Sequence, residues 1–311
     1  MHAAVVGAGA LGCVYGARLA AKADVGVTFV VRQPRLKTSG AMLLERVDER
    51  DDVIALKAPE YATEVPAHAD VVLVCVRGEQ LDDALAALLL RGPDVPAVVL
   101  TPMMPGDYAR MRAALGERVV AAMPGVVAYL REDRVVRYWL PRMAPTLMDE
   151  QKGGPAIVRE LATTLTRAGI HSRMEMGVHE SNPATTVTFA PLTMALDAGG
   201  GVEGLLADAE LTKLALRAAE EGAELGRCIG AVASWASILT RFLGRTTLRV
   251  GVRLAKLQSP EAVHYVDEHF GHKLHAQNAA MATAMIALAV EKGTRHEALV
   301  LLRDRLVAHG A

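Results

Sequence analysis

Residues 3–21, Ala-Ala-Val-Val-Gly-Ala-Gly-Ala-Leu-Gly-Cys-Val-Tyr-Gly-Ala-Arg-Leu-Ala-Ala, decide the fold of this chain. The first four form an apolar run that predicts a buried strand, and the run after the glycines predicts an amphipathic helix. Between them lies Gly7-x-Gly9-x-x-Gly12. In a strand-turn-helix unit, the first glycine makes the tight turn, the second lets backbone approach a pyrophosphate, and the third lets the helix pack closely. The stretch predicts a dinucleotide site rather than a turn that only packs, with phosphates bound by Gly7, Gly9, Ala10, Leu11 and Gly12.

The bulk composition restricts the class of protein. At 311 residues the chain exceeds what one hydrophobic core usually serves, so two domains are expected. A content of 51% hydrophobic and 22% charged residues is that of a globular protein, and the net charge of -1 indicates neither a nucleic-acid partner nor an acidic membrane. No apolar run approaches the length of about 18 residues that spans a membrane, and no signal peptide is recognisable. We therefore expect a cytoplasmic protein.

The segment after the second predicted strand, residues 25–31, bears on the choice of cofactor. An NAD site carries Asp or Glu about 20 residues after the glycines, where it binds the ribose hydroxyls. This chain instead has Arg32-Gln33-Pro34-Arg35-Leu36-Lys37, with three basic side chains and no acid. Arg32 can donate charge-assisted hydrogen bonds to a 2′-phosphate, so the sequence favours NADP(H). The alternative is that Arg35 and Lys37 are simply solvated.

Strands and helices alternate over the first half of the chain. Further strands are predicted at 69–76, 95–100, 119–123, 135–140 and 145–149. In an open α/β sheet, the loops after the strand carboxyl ends line the ligand crevice. Arg77 follows one such strand, and Pro102 and Met103 follow the next. These three residues are therefore predicted to line the cofactor site together with the glycine loop.

The second half of the chain has only helical patterns. Helices are predicted at 184–198, 210–229, 232–243, 274–292 and 296–307. The fold class is therefore α/β, a Rossmann-type doubly wound, mainly parallel sheet followed by a smaller all-helical domain. The predicted domains are 1–172, which binds NADP, and 173–311, which carries substrate and dimer contacts.

The run 279–290 is apolar on nearly all sides, so it must be buried. Its neighbours within the helical domain or a second subunit can bury it. A homodimer is therefore one of two expectations.

The chain resembles the ketopantoate reductase family. The resemblance is carried by the pattern GxGALGxxYGxxLA at 7–20, by Arg32 after the second strand, by Val-Leu-Val-Cys-Val-Arg-Gly-Glu-Gln at 72–80, and by the helical second half. The family has a Rossmann-type NADP domain and an α-helical domain around a cleft, so the resemblance implies that architecture and an NADP-dependent reduction.

The chain departs from the family pattern where the family does its chemistry. The family's Asn-Gly turn beside the nicotinamide is here Pro102-Met103. Aligning the Pro-Leu-Thr at 191–193 with that of the family puts Asn182 at the catalytic Lys. The same alignment puts Thr186 at the first conserved Asn and Ala190 at the second.

The family's late substrate-binding Glu also has no counterpart here. Counting back from Gly293 puts Gln277 at its position, and a slip of one residue would give Ala276 or Asn278. Both charged residues that the family uses for substrate protonation and binding would then be neutral amides.

A proton donor is required for carbonyl reduction, and His179 is the candidate. Histidine exchanges protons near neutral pH, and His179 lies close to the aligned catalytic position. Capping of a helix that starts near Pro183 is the alternative role for Asn182. The residues predicted to take part in catalysis are His179, Asn182, Thr186, Gln277 and Asn278.

Several histidines lie in the polar segment 264–278, which raises the question of a metal site. Gly271 interrupts any helix there, and no HExxH motif occurs. Polar lining of a cleft or a solvated face therefore competes with metal binding, and no metal is predicted. The histidines concerned are His264, His269, His272 and His275.

Together these features predict an NADPH-dependent reduction of a C=O or C=N group in a small molecule other than ketopantoate. Neutral amides at 182 and 277 recognise a carboxylate substrate poorly. The alternative is a non-redox protein on the same scaffold, an isomerase or cyclase or a ligand-binding protein.

Overall fold

The computed structural model describes residues 1–31, 41–49, 51–131, 133–141, 144–151, 154–232, 244–258 and 274–310. The chain divides into two compact units, Met1–His179 and Glu180–Ala311. The functional boundary at 172/173 stays a prediction.

The first unit combines strands with helices that alternate along the chain. Its strands are β1 (His2–Val6), β2 (Gly26–Val30), β3 (Met42–Arg46), β4 (Val53–Leu56), β5 (Glu60–Ala62), β6 (Val71–Val74), β7 (Ala97–Val99), β8 (Val119–Met123), β9 (Val127–Leu130), β10 (Val136–Trp139), β11 (Thr146–Asp149) and β12 (Ser172–Glu175). Its helices are α1 (Ala10–Ala23), α2 (Asp83–Arg91), α3 (Pro105–Leu115) and α4 (Ala156–Arg167).

The large sheet has the strand order β12-β11-β8-β7-β6-β1-β2-β5. From β5 to β8 all neighbours pair parallel, in the order of a dinucleotide-binding Rossmann sheet. Strand β11 pairs antiparallel with β8, and β12 pairs parallel with β11. The predicted Rossmann-type, mainly parallel sheet is confirmed. The order reverses between β1 and β6, which is where such sheets bind ligands.

A second sheet, β4-β3-β10-β9, was not expected from the sequence. Helix α1 packs against β1 and β2 on one side and against β9 and β10 on the other. Every residue from Gly12 to Leu19 is therefore buried, although the pattern predicted an amphipathic helix with one solvated face. The correction follows from the extra sheet, which covers the face of α1 that would otherwise meet water.

Arg18 is a charged residue of α1 that is buried between the two sheets. Its Nε donates to the Ala168 carbonyl at 2.6 Å, and its Nη1 donates to Asp52 Oδ2 and to the Tyr138 hydroxyl, each at 2.6 Å. Burial acts to raise the pKa of Asp52, but the hydrogen bond and charge of Arg18, followed by those of Lys22, lower it more. The pKa of Asp52 therefore lies below its ordinary value.

The free energy of unfolding is expected to fall in acid because of Asp52. Since its folded pKa is depressed, its contribution is present above the ordinary pKa of 3.8 and is lost as the pH falls through the lower folded value. Asp52→Asn should reduce stability at neutral pH and flatten the loss between about pH 5 and pH 2. Urea unfolding over a pH series measures both effects.

The control for this prediction is Asp51→Asn, because Asp51 is exposed and carries the same charge one residue away. It should unfold like the unmodified protein across the series. An unchanged pH slope in Asp52→Asn would contradict the assignment.

Helices are the only regular secondary structure among the described residues of the second unit. Its helices are α5 (Val178–Ala198, which begins at the end of the first unit), α6 (Val202–Ala207), α7 (Ala209–Ile229), α8 (Arg245–Gln258), α9 (His275–Lys292) and α10 (Glu297–Gly310). The buried Glu221 of α7 accepts hydrogen bonds from the Ala298 and Leu299 amides, at 3.0 and 2.9 Å, and so caps α10. The predicted all-helical domain is confirmed, while the predicted helix at 232–243 falls almost wholly outside the described residues.

The sequence predicts that the apolar run 279–290 is buried. In α9, Ala282, Met285 and Ala289 are buried while Val290 is 61% exposed, so one face of this apolar helix is covered.

No helix among the described residues is both long and apolar enough to span a membrane.

Candidate functional site

The glycine loop after β1 has the backbone geometry that its motif requires. Gly7 has φ +97°, and a Cβ there would lie 2.7 Å from the carbonyl oxygen of Cys75. A Cβ on Gly12 would lie 2.0 Å from the carbonyl oxygen of Gly7, so this glycine lets α1 pack directly on the turn. Both positions therefore exclude any larger residue.

Gly9 differs from the other two because it faces open space. No heavy atom lies within 4 Å of the position its Cβ would occupy, and the residue is exposed. Gly9 is the N-cap of α1 and no side chain caps the helix, so the first backbone N–H groups receive no side-chain acceptor there. Ala10 and Leu11 form the first turn. This open, positively polarised helix end fits a nucleotide pyrophosphate.

The loops after β6 and β7 adjoin the glycine loop because β1, β6 and β7 are neighbours in the sheet. The Arg77 side chain is 59% exposed, and its Nε lies 3.1 Å from Glu79 Oε1. The Thr101 hydroxyl donates to the Val76 carbonyl and joins the two loops. Pro102 is half-buried, and Met103 is 3% exposed and belongs to the core.

The predicted phosphate-discriminating segment lies outside the described residues. It includes Arg32, Arg35 and Lys37. The residue before it, Val31, is bonded through its amide to the Ala62 carbonyl at 2.8 Å, at the carboxyl end of β2. The chain therefore enters the segment from the same edge of the sheet as the glycine loop.

His179 pairs with a buried carboxylate. Its Nδ1 lies 2.6 Å from Asp149 Oδ2, and the other oxygen, Oδ1, accepts the Val178 amide at 3.0 Å. Asp149 is the last residue of β11 and is 4% exposed. Sequence reasoning missed Asp149, because a carboxylate thirty positions before a histidine carries no local signal of a contact.

This contact also corrects the expected start of α5. The helix begins at Val178, so Asn182 and Pro183 lie inside it, and the capping role considered for Asn182 is wrong. The physical reason is that Asp149, distant in sequence, satisfies the Val178 amide at the helix start. Pro183 costs the helix one hydrogen bond without ending it.

Tyr108 fixes the other side of the His179 ring. The two ring centroids are 4.9 Å apart with planes inclined by 20°. Tyr108 lies in the first turn of α3, which follows the loop after β7. Burial raises the pKa of Tyr108, more than Arg112 lowers it, so the phenol is neutral at physiological pH. His179 is thus held beside the predicted cofactor edge by two elements of the first unit.

Asn182 and Thr186 of the second unit are brought together on α5. The Thr186 hydroxyl lies 3.3 Å from Asn182 Oδ1, and Asn182 is buried. One helical turn separates the two residues, so they share a face.

The two candidates on α9 have different surroundings. Asn278 Nδ2 donates to Oδ2 of the fully buried Asp197 at 2.9 Å, and His275 Nδ1 lies 3.2 Å from the same oxygen. Asn278 thus takes part in a buried network that ties α9 to α5. Gln277 is half-buried beside it.

The histidine segment considered for metal binding is described only in part. His264, His269 and His272 lie outside the described residues, and His275 pairs with Asp197. Within the described ranges, no cluster of three or more His, Cys, Asp or Glu side chains could hold a metal ion.

Several solved structures share the fold of the whole chain. One is a PanE/ApbA family ketopantoate reductase from Ralstonia eutropha JMP134, with a TM-score of 0.71 and 17% identity over 99% of this chain and 98% of that one. A D-mandelate dehydrogenase with NADH and anilino(oxo)acetate has a TM-score of 0.69 and 14% identity over 99% and 98% of the two chains. A dimeric ketopantoate reductase from Staphylococcus aureus has a TM-score of 0.65 and 12% identity over 99% and 98%.

Comparison with protein families finds a match to the N-terminal part of the chain. No curated protein matches the chain. Residues 3–138 match the family described as Ketopantoate reductase PanE/ApbA, a range that includes the glycine loop, strands β2 to β9 and most of β1 and β10. The resemblance drawn from the sequence is therefore confirmed over residues 3–138, which are similar to the ketopantoate reductase PanE/ApbA family.

Proposed function

We propose that this protein is an NADP(H)-dependent oxidoreductase that reduces a C=O or C=N group of a small molecule other than ketopantoate. The observation that carries the proposal is the open end of α1 at Gly9, next to two glycines that leave no room for a side chain. The family of residues 3–138 supports an oxidoreductase scaffold.

The chain's own residues would hold the cofactor at the sheet edge. Gly7, Gly9 and the first turn of α1 would bind the pyrophosphate through backbone N–H groups. Arg77 would reach the phosphates from the neighbouring loop, and Pro102 with the Met103 backbone would lie beside the nicotinamide. When bound, the reduced nicotinamide supplies a hydride to the carbon of the substrate.

The cofactor choice is predicted from Arg32, which would bind the 2′-phosphate. One charge-assisted hydrogen bond contributes about 1.5–3 kcal/mol. Arg32→Ala should therefore weaken NADPH binding by about 10- to 150-fold and leave NADH binding nearly unchanged. Fluorescence titration of both cofactors measures the difference.

Arg35→Ala is the matched control for this prediction, since it removes the same charge three residues away. It should change NADPH binding by less than about threefold, because a charge that does not contact the phosphate contributes little. Equal binding of NADPH and NADH by the unmodified protein would contradict the cofactor assignment.

The proposal that the substrate is not ketopantoate rests on Asn182 and Gln277. Asn182 stands where the family has its catalytic Lys, and Gln277 stands where it has a substrate-binding Glu. A carboxylate substrate needs a cation or several donors, which these amides supply poorly. His179, rather than a lysine, would then donate the proton.

The reaction is tested by following NADPH absorbance with a panel of compounds. We expect oxidation of NADPH with a neutral ketone, aldehyde or cyclic imine, and slow turnover of ketopantoate and other 2-oxo acids. Fast turnover of ketopantoate would contradict the substrate assignment. Tight NADPH binding with no turnover of any compound would instead favour the non-redox alternative, an isomerase, cyclase or ligand-binding protein.

The proposed protein is a homodimer and lies in the cytoplasm. Its partner is a small-molecule substrate, and neither nucleic acid nor a membrane is a partner. The dimeric Staphylococcus aureus protein of the same fold supports the dimer. A second subunit would cover the exposed apolar side chains of α9, such as Val290.

A further inference from the structure

We propose that Asp149 is a positioning residue for His179, holding the imidazole so that its Nε2 gives a proton to the reduced group. The inference rests on the proposed reductase function and adds to it a residue that the aligned family positions do not include. Its basis is the carboxylate–imidazole pair between the end of β11 and the start of α5.

Asp149 is held rigidly enough to orient the ring. It is 4% exposed, and its two oxygens have different partners, the Val178 amide at 3.0 Å and His179 Nδ1 at 2.6 Å. A buried carboxylate accepts hydrogen bonds only, so it selects the tautomer with the proton on Nδ1. Nε2 is then the nitrogen through which a second proton is taken up and released.

Tyr108 restricts the remaining freedom of the ring. Its near-parallel contact at 4.9 Å fixes the plane of the imidazole against the first turn of α3. Asp149 and Tyr108 thus limit the rotation of the ring about both of its side-chain torsions. Among the described residues, electrostatic interactions link Tyr108 to Arg112 and Glu117, and Arg112 to Asp149.

The proposed reduction balances in protons and electrons. When bound, the reduced nicotinamide would supply a hydride to the substrate carbon, so that the C=O or C=N π pair would move onto oxygen or nitrogen. That atom takes the Nε2 proton of the imidazolium, which becomes neutral imidazole with its remaining proton on Nδ1 toward Asp149. Solvent then returns one proton to Nε2.

The test combines ring ¹⁵N NMR of His179 with steady-state kinetics in the full chain. In the unmodified protein, neutral His179 should carry its proton on Nδ1. In Asp149→Asn the amide NH₂ can donate to Nδ1, so the proton should move to Nε2. The same variant should lose about 10²- to 10⁴-fold in kcat, the range of general acid–base catalysis, with KM for NADPH within about twofold.

Glu150→Gln is the matched control, because Glu150 follows Asp149 and pairs with the exposed Arg159 at 3.2 Å. It should leave both the tautomer and kcat unchanged. A proton on Nε2 in the unmodified protein would overturn the proposal, and that measurement needs no variant to fold. A shifted tautomer with unchanged kcat would overturn the positioning role while the reductase function stands. Absence of NADPH oxidation with every compound would refute the reductase function and the proton transfer, whatever the tautomer.

Discussion

Replacing His179 by Gln is expected to lower kcat by about 10²- to 10⁴-fold, with NADPH binding within about twofold of the unmodified protein. Glutamine can still donate a hydrogen bond to Asp149, so the start of α5 should be retained. It cannot, however, release a proton to the substrate at neutral pH. The loss should therefore appear in turnover, and stopped-flow NADPH oxidation with the best compound of the panel measures it.

The control for this replacement is His171→Gln, because His171 is exposed and precedes β12 in the same unit. Its kcat should equal that of the unmodified protein. If His179→Gln reduced the substrate at the unmodified rate, the proton would have to come from another group, and His179 would not be the donor.

Gly12→Ala is expected to lower the free energy of unfolding by about 3 kcal/mol or more, at the upper end of overpacking effects. The added Cβ would lie 2.0 Å from the carbonyl oxygen of Gly7, which is backbone and cannot rotate away. Helix α1 would then have to move from the sheets that enclose it. Urea unfolding in the absence of nucleotide measures this effect on the fold alone.

Gly9→Ala is the matched variant in the same loop, and it should affect the cofactor instead of the fold. Nothing lies within 4 Å of its Cβ position and φ is -75°, so stability should change by less than about 0.5 kcal/mol. The methyl group would occupy the space through which a pyrophosphate reaches the α1 amides, so NADPH should bind at least about tenfold more weakly. Unchanged NADPH binding in Gly9→Ala would remove the pyrophosphate from this helix end.

The parts of the fold that could be predicted are those encoded over a few consecutive residues. Strands β6, β7 and β8 are uninterrupted apolar runs, which is the pattern of parallel strands buried on both faces. The predicted helices at 210–229 and 274–292 agree with α7 and α9 to within a residue. Glycine and apolar periodicity are sufficient signals in these segments, because steric restriction and burial act locally.

The parts that were missed depend on partners distant in the chain. Strand β9 is four residues long, and its burial comes from α1 and from pairing with β10. Helix α3 starts at Pro105 and has little apolar periodicity, since only Met111 and Leu115 are buried. A run this short or this weakly patterned is compatible with several structures until its neighbours are in place.

The sequence by itself determined the glycine turn, the order of strands before helices, and the absence of an acid where an NAD site has one. These properties follow from backbone sterics and residue chemistry at single positions. Only the tertiary structure decided that Asp149 meets His179, that α5 begins at Val178, and that Asn278 bonds to Asp197. Each of these contacts joins residues at least twenty-nine positions apart, and their distance depends on how strands pair and helices pack, which no local pattern encodes.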